Sequence, residues 1–208
     1  STVFGTGPSL ASAFSMDFEY STTIVCNTMV KDQNLMDHIK PQVIVAADAD
    51  YHYGPSTYAQ AFRKDLVRTI QKHGSYFVLP EAHLPLLLSH HPELADRAIG
   101  VPVEGTQVNF DLKLEFRVRA IDNVFLQFLL PLGCTYGKKI NTVGFDGRTT
   151  GDTKFWNHNT DTQYGDLMHT IEKSHPGFFF FRNYEDYYDR HCSLIEKDIY
   201  NMERDGWK

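Results

Sequence analysis

The sequence predicts an α/β fold: a largely parallel sheet flanked by helices in a single domain. Three observations carry that prediction. At 208 residues, 42% hydrophobic and 22% charged, the chain suits one globular domain with a sizeable core. Short apolar runs at 22–26, 43–47, 76–79, 140–143 and 178–181 are mostly separated by helical patterns, as in a parallel sheet with crossover helices. Turn-forming stretches rich in Gly, Asp, Asn and His follow the predicted strands at 47–56 and 144–163, where α/β folds place their chemistry. No repeat, low-complexity tract or linker divides residues 1–208, so they read as one domain.

Thr2-Val3-Phe4 reads as the last residues of a strand, and Gly5-Thr6-Gly7-Pro8-Ser9 as the turn that follows it. Part of that strand is expected upstream. Between Ser56 and His73, Tyr58, Phe62, Leu66 and Ile70 recur every four residues behind Gly54-Pro55-Ser56, which predicts a helix with one apolar stripe. Residues 108–118 alternate Val108, Phe110, Leu112, Leu114, Phe116 and Val118 with polar residues, which predicts a long half-exposed strand on an edge or in a β flap. Residues 123–132 predict a buried helix entered after Asp122 and broken by Pro131 and Gly133. From Asn183, Tyr187, Tyr188, His191, Leu194, Ile195, Ile199 and Met202 trace one face of a long helix, with Asn183 as its cap. Asp205-Gly206 ends it, and Trp207-Lys208 reads as the start of another segment, so the chain is expected to be part of a longer protein.

The formal net charge of −6 gives no general attraction to polyanions, so nucleic acid is not an expected partner. No apolar run approaches the ~20 residues of a membrane span. Cys26, Cys134 and Cys192 are widely spaced and form no CxxC pair, which predicts free thiols, no zinc site and a reducing, cytoplasmic setting.

The glycine turn at Gly5, Thr6, Gly7, Pro8 and Ser9 lets backbone N–H groups approach a phosphate, although it is neither a full GxGxxG fingerprint nor a P-loop. Asn27 closes the second strand and offers an amide to a phosphate or a sugar hydroxyl. The third strand ends in Asp48-Ala49-Asp50, whose carboxylates suit ribose hydroxyls, an acceptor or Mg²⁺, or simply a solvated loop. Gly144-Phe145-Asp146-Gly147 follows the predicted 140–143 strand, and Arg148 offers a cation beside it. In a parallel sheet these segments converge on one crevice. His158, in a polar loop beyond Gly144, is the candidate general base, whereas His169 reads as structural. No HExxH, nucleophile elbow or Cys-His arrangement is present, which disfavours zinc and covalent hydrolysis.

Taken in order, Gly5-Thr6-Gly7-Pro8-Ser9-Leu10, Cys26-Asn27, the acidic third-strand end, the helix through Leu132-Gly133 and the run Lys139 to Asp146 resemble the bacterial sialyltransferases of glycosyltransferase family 42. They also resemble that family's relatives, among them polysaccharide-locus proteins and the archaeal 6-hydroxymethylpterin diphosphokinases. The resemblance implies a Rossmann-like nucleotide-binding domain acting in polysaccharide biosynthesis. Its partners would be a CMP-activated acidic-sugar donor and a glycan acceptor; no metal cofactor would be required, and membrane association would be peripheral, through parts outside this chain. It implies that Gly5, Thr6, Gly7, Pro8 and Ser9 line the nucleotide, Asn27 the phosphate, and Gly144, Phe145 and Asp146 the cytidine, with a histidine after Gly144, nearest His158, as base. Arg119 alone carries over from the family's Arg-x-Thr-Ser-Gly run, which here reads Arg119-Ala120-Ile121-Asp122-Asn123. The tyrosines that hold the leaving phosphate have no obvious counterpart, which leaves that role to Arg148. Under the diphosphokinase alternative, Asp48, Asp50 and Asp146 would hold Mg²⁺ for ATP; a non-catalytic nucleotide-binding module is the third reading.

Overall fold

The computed structural model describes residues 1–147, 159–177 and 184–208. Among the described residues six strands form one sheet: β1 (Thr2–Phe4), β2 (Thr23–Cys26), β3 (Val43–Val45), β4 (Tyr76–Pro80), β5 (Ala98–Val101) and β6 (Asn141–Val143). Their order is β5-β4-β3-β2-β1-β6, and every pairing is parallel. The helices are α1 (Gln33–Ile39), α2 (Ala49–Tyr53), α3 (Thr57–His73), α4 (Leu84–His90), α5 (Leu130–Tyr136), α6 (Met168–Ser174) and α7 (Tyr184–Arg204). This is the predicted α/β architecture, Rossmann-like in its all-parallel sheet and flanking helices.

The central strands are covered on both faces, so Val43, Ile44 and Val45 are all buried and show no alternation. From β1 to β5 the chain steps steadily toward one edge; right-handed crossovers then put α1, α3 and α4 on the same face. The return from β5 to β6 carries α5 and the turn before it across β1 and β2 on the opposite face. Helix α3 forms as predicted: the Ser56 hydroxyl accepts from Ala59 N at 3.1 Å, and Gly74 at φ 70° closes the other end. Tyr58, Phe62, Leu66 and Ile70 are buried along its stripe, each contributing about 1.5–3 kcal/mol before entropy is charged against it.

Three predictions are corrected. Residues 108–118 do not form a strand; they run as turns, with a single bridge between Val103 and Val118. The polar residues of the alternating pattern take up the backbone themselves. Asn109 Oδ1 accepts from Asp111 N and Asp111 Oδ1 from Lys113 N, both at 3.0 Å, while Asn109 Nδ2 donates to the carbonyls of Glu115 and Arg117. Leu114 is left 86% exposed. The second correction concerns Pro131 and Gly133, which do not break their helix: it continues to Tyr136. A π-turn over Phe125–Leu129, in which Leu130 N donates to Phe125 O, widens the helix just before the proline and accommodates its ring and missing donor. Gly133 fits there because a Cβ would meet Val3 and Ile140 at 3.1 and 3.2 Å.

The third correction is an omission from the apolar runs. β5 is a short edge strand containing Gly100, whose missing Cβ makes room for Glu81 Cα at 3.0 Å. At the end of α7, Gly206 at φ 97° turns the chain as predicted. Beyond it Trp207 Nε1 donates to Cys134 O at 2.9 Å, and Lys208 lies along the chain just before β6, its N donating to Lys138 O at 2.8 Å and its carbonyl accepting from Ile140 N at 2.6 Å. All three cysteines are free thiols, and burial pushes those of Cys26 and Cys134 up to about 12. Among the described residues no helix is long and apolar enough to cross a membrane. The apolar run at 178–181 lies outside the described residues.

Candidate functional site

Strand order reverses between β1 and β6, the position at which open parallel sheets carry their ligand crevice, and the loops leaving the two carboxyl ends meet there. Both loops are glycine turns, and they touch. Gly5 N donates to Val143 O at 2.8 Å and Gly7 N to Gly144 O at 2.9 Å, which extends the β1–β6 pairing past the sheet. Gly144 stands at φ 78°, and a Cβ on it would lie 2.4 Å from Gly5 O; one on Gly5 would lie 2.5 Å from Gly144 O. The glycines at these positions therefore serve first to bring the two loops together.

Asp146 supplies the anion at this junction. Its Oδ2 accepts from Ser9 N at 2.9 Å, on the first turn of the 3₁₀ helix Pro8–Ser15. A Cβ on Gly7 would fall 2.2 Å from that oxygen. Phe145 is partly exposed at the rim, its ring 4.7 Å from that of Phe125. The structure thus brings together Gly5, Thr6, Gly7, Pro8, Ser9, Gly144, Phe145 and Asp146.

Asn27 follows β2, the strand next to β1, at φ 50°. Left-handed backbone at a non-glycine residue costs about 1–3 kcal/mol and clusters at functional sites. Its Oδ1 is buried from water without a hydrogen-bond partner, so the side chain is held at the strand edge with an acceptor unused.

Farther along the edge, Asp48 follows β3 and spends its carboxylate on capping α2, Oδ1 accepting from Asp50 N and Tyr51 N at 3.1 and 3.2 Å. Beside it His52 is fully buried, with Nδ1 2.8 Å from Asp48 O, and desolvation pushes the imidazole down to about 4. Tyr53 donates to Ala46 O at 2.8 Å. His83, whose ring lies 5.2 Å from that of Tyr53, has a buried Nδ1 without a partner and is also held below its usual value by desolvation. His175 Nδ1 lies 3.3 Å from Asp50 Oδ2, forming an exposed pair on the same corner.

Asp146 and Asp48 follow strands that β1 and β2 separate, the strand axes about 14 Å apart at ~4.8 Å per strand. Among the described residues no group of three or more His, Cys, Asp or Glu side chains is placed to hold a metal ion.

Residues 159–163 cross the edge as a strap. Asn159 N donates to Thr6 O at 2.7 Å, Lys31 Nζ donates to the carbonyls of Thr160 and Gln163, and Gln163 Nε2 reaches Thr28 Oγ1 at 3.1 Å. Lys31 has no signature in the sequence, because a lysine whose acceptors are carbonyls about 130 positions away leaves no local pattern. The same holds for Tyr188, whose hydroxyl oxygen lies 2.6 Å from where a Gly147 Cβ would sit. That tyrosine from α7 reaches the turn after β6, and in the sequence it is only one residue of an apolar face.

Arg119 is not at the crevice surface. It is buried in an ion pair with Asp198 of α7, and burial raises the Asp198 carboxyl. The pair ties the segment before the π-turn to the last helix. His169 Nδ1 lies 2.9 Å from Asp166 O, in keeping with a structural role. His158 and Arg148 lie outside the described residues. No family model, no curated protein and no solved structure matches this chain.

Proposed function

We propose that this chain is a glycosyltransferase that moves an acidic sugar from a CMP-activated donor to a glycan hydroxyl, with the donor in the β1/β6 crevice. One observation carries the reading: at the topological switch point, two interlocked glycine turns lie beside an asparagine held in left-handed backbone with an unused buried acceptor. Strain retained beside a ready-made crevice is expected where a ligand recovers its cost. The resemblance to the sialyltransferases of glycosyltransferase family 42 supplies the donor class.

In this reading Gly5, Thr6, Gly7, Pro8 and Ser9 bind the nucleotide, Asn27 contacts the phosphate or ribose, and Gly144, Phe145 and Asp146 border the cytidine. A general base takes the acceptor's proton as its oxygen bonds to the anomeric carbon. The bond from that carbon to the phosphate oxygen breaks, and CMP leaves with the electron pair. His158 is the proposed base and Arg148 the proposed partner of the departing phosphate, with Tyr188 a second donor beside Gly147. His175, paired with Asp50 at the start of α2, the helix that follows β3, is the other histidine to compare as base.

Calorimetric titration with CMP, CDP, ATP and GTP, each with Mg²⁺ and then with EDTA, tests the proposal. It expects metal-independent CMP binding, weakened at least about tenfold in Asn27→Ala, the loss of roughly one good hydrogen bond. Preference for ATP with Mg²⁺ would replace this reading with the diphosphokinase, and no nucleotide binding would overturn both. With a donor in hand, kcat in His158→Ala and His175→Ala identifies the base.

A further inference from the structure

A second feature lies outside the crevice, in the groove between α3 and α4. Arg63, in the second turn of α3, is 8% exposed, and buried guanidinium groups are ordinarily paired with a carboxylate. This one is not. Only its Nη1 is engaged, donating to the carbonyl oxygens of His52 at 3.1 Å and Gly54 at 3.0 Å, which leaves the Nε–H and Nη2 donors unassigned. The nearest carboxylate along the helix, Asp65, accepts instead from the Tyr164 hydroxyl at 2.7 Å. Desolvation accordingly holds the guanidinium below its usual value.

Arg63 lines a cavity of about 410 Å³, together with Gln60, Lys64 and Val67 of α3 and with His90 and His91 at the end of α4. Among the described residues the lining holds two permanent cations, two imidazoles and an amide, but no acid, on a chain whose net charge is −6. Glu93, two residues beyond His91, is turned to it, with Oε1 3.0 Å from Nδ1. Uncompensated positive charge, partly stripped of water and open to a cavity, suits an anion that accepts several hydrogen bonds.

We propose that this groove is a second ligand site that binds a phosphate group, inorganic or as a phosphate monoester, with Arg63 as its fixed donor and Lys64, His90 and His91 around it. It is separate from the crevice: α3 and α4 flank β4, whereas the glycine turns follow β1 and β6 at the other side of the sheet.

The test uses the intact chain and inorganic phosphate, against chloride at constant ionic strength, with the imidazole resonances of His90 and His91 followed by NMR. Saturable shifts with Kd of about 1 mM or tighter are expected for an ion of this size, weakened about tenfold or more by Lys64→Glu and by Arg63→Lys. Asn27→Ala should leave them unchanged, and a phosphate monoester such as glycerol phosphate distinguishes free phosphate from an esterified ligand. Because Arg63 also holds two carbonyls, Lys64→Glu and His90→Ala, both at exposed positions, decide if the Arg63 variant fails to fold. Absence of saturation at 20-fold the expected Kd, or equal affinity in Lys64→Glu, overturns the site.

Discussion

At the β1/β6 crevice the working atoms are backbone amides and one carboxylate, brought together because Gly5, Gly7 and Gly144 have no side chains to hold the loops apart. At the β3 corner, two strands away, they belong to side chains drawn away from water: buried His52 and Tyr53 and half-buried His83, packed where the sheet edge meets α2 and α3. The crevice keeps its polar groups near water and places them by close backbone approach. The corner removes imidazoles from water and so keeps them neutral. The first arrangement presents donors to an anion; the second contributes stability that depends on pH.

The sharpest way to break this comparison is Gly144→Ala. The new Cβ would meet backbone oxygen rather than a movable side chain, and the residue would have to hold φ 78°. A loss of about 3 kcal/mol is expected in urea denaturation, combining overpacking with left-handed strain. Gly7→Ala should cost less, because its nearest clash is with the Asp146 carboxylate, and Gly7→Ala/Asp146→Ala should recover part of the loss. Negligible costs at both glycines would mean that the loops are not interlocked.

The corner makes the opposite demand. His52 titrates near 6.5 when unfolded and at about 4 when folded, so above pH 6.5 its burial carries no protonation cost. As pH falls from 6.5 toward 4 only the unfolded chain gains the proton, and stability drops by up to about 3 kcal/mol. His83, shifted in the same direction, adds to the loss. His52→Phe, which keeps a ring against Phe62, should flatten the denaturation midpoint across that window; an unchanged slope would place the acid sensitivity elsewhere.

Asn27 separates folding from binding within the crevice. Asn27→Gly keeps the left-handed backbone while removing the unpartnered amide, so stability should stay within about 1 kcal/mol of the parent or rise. Nucleotide affinity should fall as in Asn27→Ala. The smallest effect belongs to Leu114→Ser and Phe116→Ser: both side chains are exposed in turns, and each should change stability by no more than about 0.5 kcal/mol. A cost above 2 kcal/mol would restore the strand that their spacing predicts.

The chain order alone determined the α/β class and much of the edge. Apolar runs such as Val43-Ile44-Val45 and the four-residue spacing of Tyr58, Phe62, Leu66 and Ile70 are local patterns, and burial acts on them in the same way wherever the elements sit. The strand-end glycines, Asn27, Asp48 and Asp146 were legible because a parallel sheet places all carboxyl ends together. The 108–118 alternation misled because Asn109 and Asp111 satisfy the backbone locally, and the chain past Pro131 stayed helical because a π-turn precedes it. Tertiary structure alone decided that Asp146 meets Ser9, that Arg119 pairs with Asp198, that Lys31 holds the strap, that Tyr188 reaches Gly147 and that Arg63 is buried without a carboxylate. Most of these pairings join residues far apart in sequence through single contacts, and which charge finds a partner depends on the packed geometry around it.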